Sequence, residues 1–132
     1  MSKYPHMFPI DIAVWERFLQ KYSEGYIKFD YDIKVGKPVK MFPYWEENYR
    51  KDAEILSKFR IDAIGYADDA IDVIEVKPRL NQASVGQILT YTELFLREFK
   101  PKLPVTPVIV AGEGNENIVP IAQMYDIEVY LV

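Results

Sequence analysis

At 132 residues and 15.4 kDa the chain is the size of one domain, and 49% hydrophobic with 27% charged residues is ordinary globular composition. Its 20 acidic residues against 16 basic leave a formal charge of −4, so any nucleic-acid contact needs a local basic patch rather than bulk positive charge. The absence of cysteine and a single histidine, His6, exclude disulfide scaffolds, thiol catalysis, iron–sulfur clusters and multi-histidine zinc sites.

Met1 to Asp11 contains two prolines and lacks the roughly 7–15-residue apolar core of a signal peptide. No stretch approaches the roughly 20 apolar residues of a membrane span. A soluble, cytoplasmic protein with no membrane partner is the expectation.

Residues 9–23 predict an opening helix capped by Asp11, with Ile12, Trp15, Phe18, Leu19 and Tyr22 on one stripe. Residues 26–35 alternate apolar and polar, which predicts a strand with one wet face. Gly36-Lys37-Pro38 turns the chain. Trp45, Tyr49 and Ala53 suggest a short helix within the poorly patterned stretch 39–58.

Ser57–Tyr66 and Ile71–Lys77 predict a hairpin turned at Ala67–Ala70 and ended by Pro78. Residues 84–99 carry the clearest helical stripe, including Val85, Ile88, Leu89, Phe95 and Phe99. A strand at Val105–Val110, a short helix at Asn117–Tyr125 and a last strand through Ile127, Val129 and Leu131 follow. A helix between two strands is how parallel strands connect, so the expected fold is α/β, a mixed sheet flanked by helices on both faces.

The chemistry concentrates in the second hairpin strand. Glu75 and Lys77 are two residues apart and share a face. Their neighbours Val73, Ile74 and Val76 make the strand apolar enough to be central. A carboxylate and an ammonium there are costly unless paired or bound to a metal. Asp62 on the preceding strand is expected one or two residues beyond the level of Glu75, on the same face by parity unless a bulge intervenes.

Asp62 followed by Glu75-Val76-Lys77, with a helix before and an amphipathic helix after, resembles the PD-(D/E)XK nuclease superfamily. Restriction endonucleases, Holliday-junction resolvases and small phage or mobile-element nucleases belong to it. The resemblance implies a restriction-endonuclease-like fold and a metal-dependent nuclease. It implies a divalent cation, Mg²⁺ or Mn²⁺, held by Asp62, Glu75 and the Val76 carbonyl, with Lys77 assisting the attacking water. Gln87 stands where a polar helix residue often joins the site. Ile61 replaces the proline that commonly precedes the first Asp. Oxygen-only ligands suit a hard ion on chemical grounds as well.

Residues 77–102 hold five basic residues against two acidic, a net of +3, and form the basic segment of the chain. Arg79 is the expected phosphate contact, and Tyr91, one turn beyond Gln87, either touches substrate or packs. Each feature also has a plain structural explanation. E-x-K in a strand is commonly a salt bridge, Ser84–Gln87 also reads as a capping box, Glu16 suits the surface, and His6 suits a surface or an interface. Phe42, Tyr44, Trp45 and Tyr49 offer a homodimer interface. Beside the nuclease stand two other readings: a catalytically silent nuclease-like fold serving as a nucleic-acid-binding or phage assembly module, and a purely structural ion-pair cluster.

Overall fold

The alternation that begins near Tyr26 becomes strand β1 (Lys28–Val35), one of the two edge strands of a five-stranded sheet among the described residues of a computed structural model. The structure describes residues 3–37, 43–56 and 59–132. Helix α1 (Pro9–Tyr22) precedes β1, and α2 (Glu47–Leu56) lies between β1 and β2 (Phe59–Tyr66). Then come β3 (Ile71–Arg79), α3 (Gln82–Phe99), β4 (Val105–Glu113), α4 (Ile118–Met124) and β5 (Glu128–Leu131). The strands stand in chain order across the sheet. β1, β2 and β3 pair antiparallel, while β4 and β5 add in parallel behind the crossovers made by α3 and α4. The fold is thus mixed α/β, with helices on both faces.

Two apolar layers hold it together. On one face Val14, Trp15 and Phe18 of α1 bury against Ile74, Val76, Val108 and Val110. On the other, Ile88 and Phe95 of α3 and Ala122 of α4 bury against Ile64, Val73 and Ile109. The central strands β3 and β4 supply apolar residues to both layers, which is why their sequences read as nearly continuous apolar runs.

Three expectations change at this level. The apolar residues of β1 do not line one face: Phe29 and Tyr31 join the α1 layer, whereas Ile33 and Val35 join the α3 layer. The switch occurs at Asp32, whose φ of 55° is left-handed and reverses the alternation. Pro78 does not end β3, which continues to Arg79. The Val76 amide points toward β2, and Pro78, two residues on, has the same orientation. Pairing with β2 has already stopped there, so its missing N–H removes no ladder bond. Finally, α3 starts two residues before the expected Ser84. Asn81 is its cap, accepting the Ser84 amide at 2.8 Å, and Ser84 returns a bond to the Asn81 amide.

The expected helix in 39–58 is α2, which begins after Trp45. Pro38, Phe42 and Ser57 lie outside the described residues. No helix among the described residues is long and apolar enough to cross a membrane.

Candidate active site

The β2–β3 ladder runs from Tyr66↔Ile71 to Ala63↔Ile74 and stops. One step further in the same register is Asp62 opposite Glu75, so Asp62 stands level with Glu75 rather than beyond it. The β1–β2 ladder also skips this step, pairing Tyr31 with Ala63 and Ile33 with Ile61. Asp62 therefore sits at a skipped step of the β1 ladder and just past the end of the β3 ladder. Its side chain fills part of the gap: Oδ2 accepts the Val76 amide at 2.8 Å. The second hydrogen-bonding group at this point comes from His6. Its Nε2 donates to the Asp62 carbonyl at 3.1 Å and lies 3.7 Å from Asp62 Oδ1.

Glu75 has the parity of Ile71 and Val73 and faces the α3 layer. It is only 6% exposed, and its Oε2 has no hydrogen-bond partner among the described residues. Burial pushes its carboxyl up to about 10, with the nearby Asp62 charge adding to the rise and Lys77 opposing it. Lys77 Nζ stands 3.9 Å from Glu75 Oε1, an ionic contact too long for a hydrogen bond. Two acids and one lysine thus share an enclosed end of the sheet, and the lysine does not fully compensate the acids.

Gln87 and Tyr91 stand on α3, the helix that packs on the same face of the sheet as Glu75. With α3 capped by Asn81, Gln87 is not a capping residue, and its buried Oε1 has no partner among the described residues. Burial raises the Tyr91 hydroxyl, and the charges of Glu75 and then Asp62 raise it further. Tyr91 also meets Phe59 at 5.7 Å between ring centroids. Phe59, Gln87 and Tyr91 help line a groove of about 310 Å³.

Arg79 extends outward along β3 and is bridged to Glu113 at 3.1 Å. A groove of about 260 Å³ between α1 and the ends of β3 and β4 holds Arg79 beside Arg17. Glu16 lies on the exposed side of α1. Asp72 is engaged elsewhere, accepting the Tyr26 hydroxyl at 2.6 Å.

Two residues of the region escaped sequence reasoning. His6 is not a surface residue: its side chain is 4% exposed, because Tyr4 and Met7 on either side bury into the α1 layer. Nothing local in the sequence signals this. Asp11 is not the cap of α1 but its third residue, accepting the Phe8 amide at 3.3 Å. Burial raises its carboxyl, the Phe8 amide lowers it, and the charges of Asp62, Lys77 and His6 all reach it. Pro9 was the available signal, since proline favours the first helical position and so places the cap at Phe8.

Among the described residues no three acidic or histidine side chains cluster closely enough to enclose a metal ion. The donor set offers two carboxylates, which fits an ion that keeps much of its shell as water and phosphate oxygen. Compared with known proteins, the chain matches no family model, and neither curated proteins nor solved structures gave a significant match.

Proposed function

We propose that this protein is a metal-dependent nuclease of the PD-(D/E)XK type, with a restriction-endonuclease-like fold, hydrolysing phosphodiester bonds of nucleic acid, most naturally DNA. The observation that carries the reading is Glu75: a buried carboxylate with an unpartnered oxygen, beside a second acid, with Lys77 just beyond hydrogen-bond range. A closed structural pair would satisfy those atoms, because a buried polar oxygen left without a partner costs free energy. The mixed sheet and the resemblance of the Asp62…Glu75-Val76-Lys77 pattern support the same reading.

Asp62, Glu75 and the Val76 carbonyl would hold Mg²⁺ or Mn²⁺. When bound, such an ion neutralises phosphate oxygens and acidifies a water for in-line attack. The protein's own part is then definite. Asp62 is preset by the Val76 amide, so little reorganisation is needed to present its other oxygen. Lys77, a quarter exposed at the mouth of the site, orients the water and stabilises negative charge developing on the phosphoryl group. Gln87 supplies a hydrogen-bonding amide from α3, and Tyr91 a face for substrate. Arg79 and Arg17 border a groove suited to a backbone phosphate. The exposed rings of Tyr44 and Tyr49 are the surface on which a homodimer would form.

The test is cleavage of supercoiled, linear duplex, single-stranded and branched DNA in Mg²⁺ or Mn²⁺, beside Lys77→Ala. Cleavage lost with chelator and in the variant is the expected result. Cation binding by a folded protein that cuts no substrate would identify a binding or assembly module. No cation binding would leave a structural ion cluster.

A further inference from the structure

We infer that His6 is a positioning residue for Asp62: the N-terminal segment straps the sole imidazole of the chain across the unpaired step of β2 at Asp62 and holds the acid for its cation. The inference rests on the reading that Asp62 and Glu75 share a divalent ion.

The geometry leaves Asp62 otherwise under-restrained. Its backbone step is skipped by the β1 ladder and lies past the end of the β3 ladder. A carbonyl at such a break needs a donor, and a buried one without it costs free energy. His6 Nε2 is that donor, at 3.1 Å across 56 residues of chain. A carbonyl only accepts, so the proton on this bond belongs to the imidazole. The same nitrogen lies 3.7 Å from Asp62 Oδ1, close enough to bias where that oxygen rests without consuming it in a bond. Oδ2 is meanwhile fixed by the Val76 amide. Asp62 is thus gripped from both sides, at its main chain by the strap and at one carboxylate oxygen by β3, with its carboxylate held beside the Glu75 carboxyl.

The strap is itself anchored. Tyr4 and Met7 are buried, and the Tyr4 ring meets Tyr31 edge-on at 4.9 Å between centroids. Met7 donates its amide to the Tyr4 carbonyl at 3.0 Å, closing a turn that carries His6 inward. An imidazole needed only for packing would not require its Nε2 to meet a main-chain oxygen at a step that both ladders leave unpaired. Outer groups that orient metal ligands typically change affinity by about 10–100-fold when removed.

The experiment measures Mn²⁺ affinity of wild type, His6→Ala, His6→Gln and Asp62→Asn, each checked for folding by near-UV circular dichroism. Glutamine places an amide N–H where Nε2 stands. The expected order is wild type and His6→Gln alike, His6→Ala weaker by about 10–100-fold, and Asp62→Asn without measurable binding. Since His6 is the sole histidine, the imidazole NMR signals of the protein belong to it alone. Mg²⁺ should shift those signals in the wild type and not in Asp62→Asn, a readout that survives if His6→Ala fails to fold. Wild-type affinity in His6→Ala, equal loss in His6→Gln, or an imidazole signal blind to Mg²⁺ would overturn the positioning role alone. A wild type that binds no Mn²⁺ would overturn it together with the metal reading.

Discussion

The carboxylate of Asp62 accepts the backbone amide of Val76 at the step where the ladder between their strands has just ended. One side chain thereby stands in for a missing main-chain acceptor and supplies an oxygen to the candidate site. These two roles separate under substitution. Asp62→Ala leaves the Val76 amide without its partner and should cost about 1–3 kcal/mol of stability. Asp62→Asn retains an acceptor and should stay near wild type in urea denaturation while losing Mn²⁺ binding. Equal destabilisation by both would mean that the negative charge, rather than the hydrogen bond, holds the strands together.

Glu75 makes the stability of the metal-free protein depend on pH in an unusual direction. Its carboxyl is raised from 4.5 to about 10, chiefly by burial. The folded state therefore binds more protons than the unfolded state between those values, and stability falls as pH rises through that window. Thermal melts in chelator should show this decline from pH 5 to 9, approximate limits chosen inside the window. Glu75→Gln should flatten it, because the amide has no proton to lose. Mn²⁺ should raise the wild-type melting temperature most at the alkaline end and leave Glu75→Gln nearly unchanged. A wild-type profile as flat as that of the glutamine variant would show that Glu75 is not held in its neutral form.

Lys77 is placed for chemistry more than for folding. It is partly exposed and beyond hydrogen-bond distance from Glu75. Lys77→Ala should lower cleavage by about 10²–10³-fold, the scale of losing one group that stabilises transition-state charge. Urea unfolding of the same variant should lie near wild type. Large destabilisation with unchanged activity per folded molecule would assign Lys77 to the scaffold instead.

The α1 face depends on a tight contact between β2 and the segment entering β1. A Cβ on Gly65 would lie 2.7 Å and 2.8 Å from two ring carbons of Tyr26. That ring is not free to retreat, since its hydroxyl donates to Asp72 at 2.6 Å and Phe29 flanks it at 4.7 Å. Gly65→Ala should therefore cost about 1–3 kcal/mol through overpacking. Tyr26→Phe should cost a similar amount by leaving Asp72 without its hydrogen bond, about 1–3 kcal/mol. With the hydroxyl tether gone the ring can shift, so the double variant should lose less than the sum, measurable as a double-mutant cycle.

Most of the elements were legible because their signals are local. The stripe through Trp15 and Phe18 and the stripe through Ile88 and Phe95 each describe one helix face. Within β3, parity alone places Glu75 and Lys77 on one side. The errors arose where a local rule met a neighbouring strand. Pro78 is a strand breaker only where its amide would have been paired. The even alternation of β1 concealed the left-handed turn at Asp32, because the sequence pattern is the same whether or not the strand changes layers.

By itself the sequence determined the helical and strand periods, the mixed α/β class and the shared face of Glu75 and Lys77, since each depends on contacts within a few residues. Tertiary structure decided the rest of the site. It set Asp62 level with Glu75 through strand register, buried Glu75 without a full set of partners, and brought His6 across 56 residues to the Asp62 carbonyl. The physical reason is that hydrogen-bond completion and desolvation at a broken ladder depend on which distant groups the packed layers bring together, and no periodicity in the chain encodes that meeting.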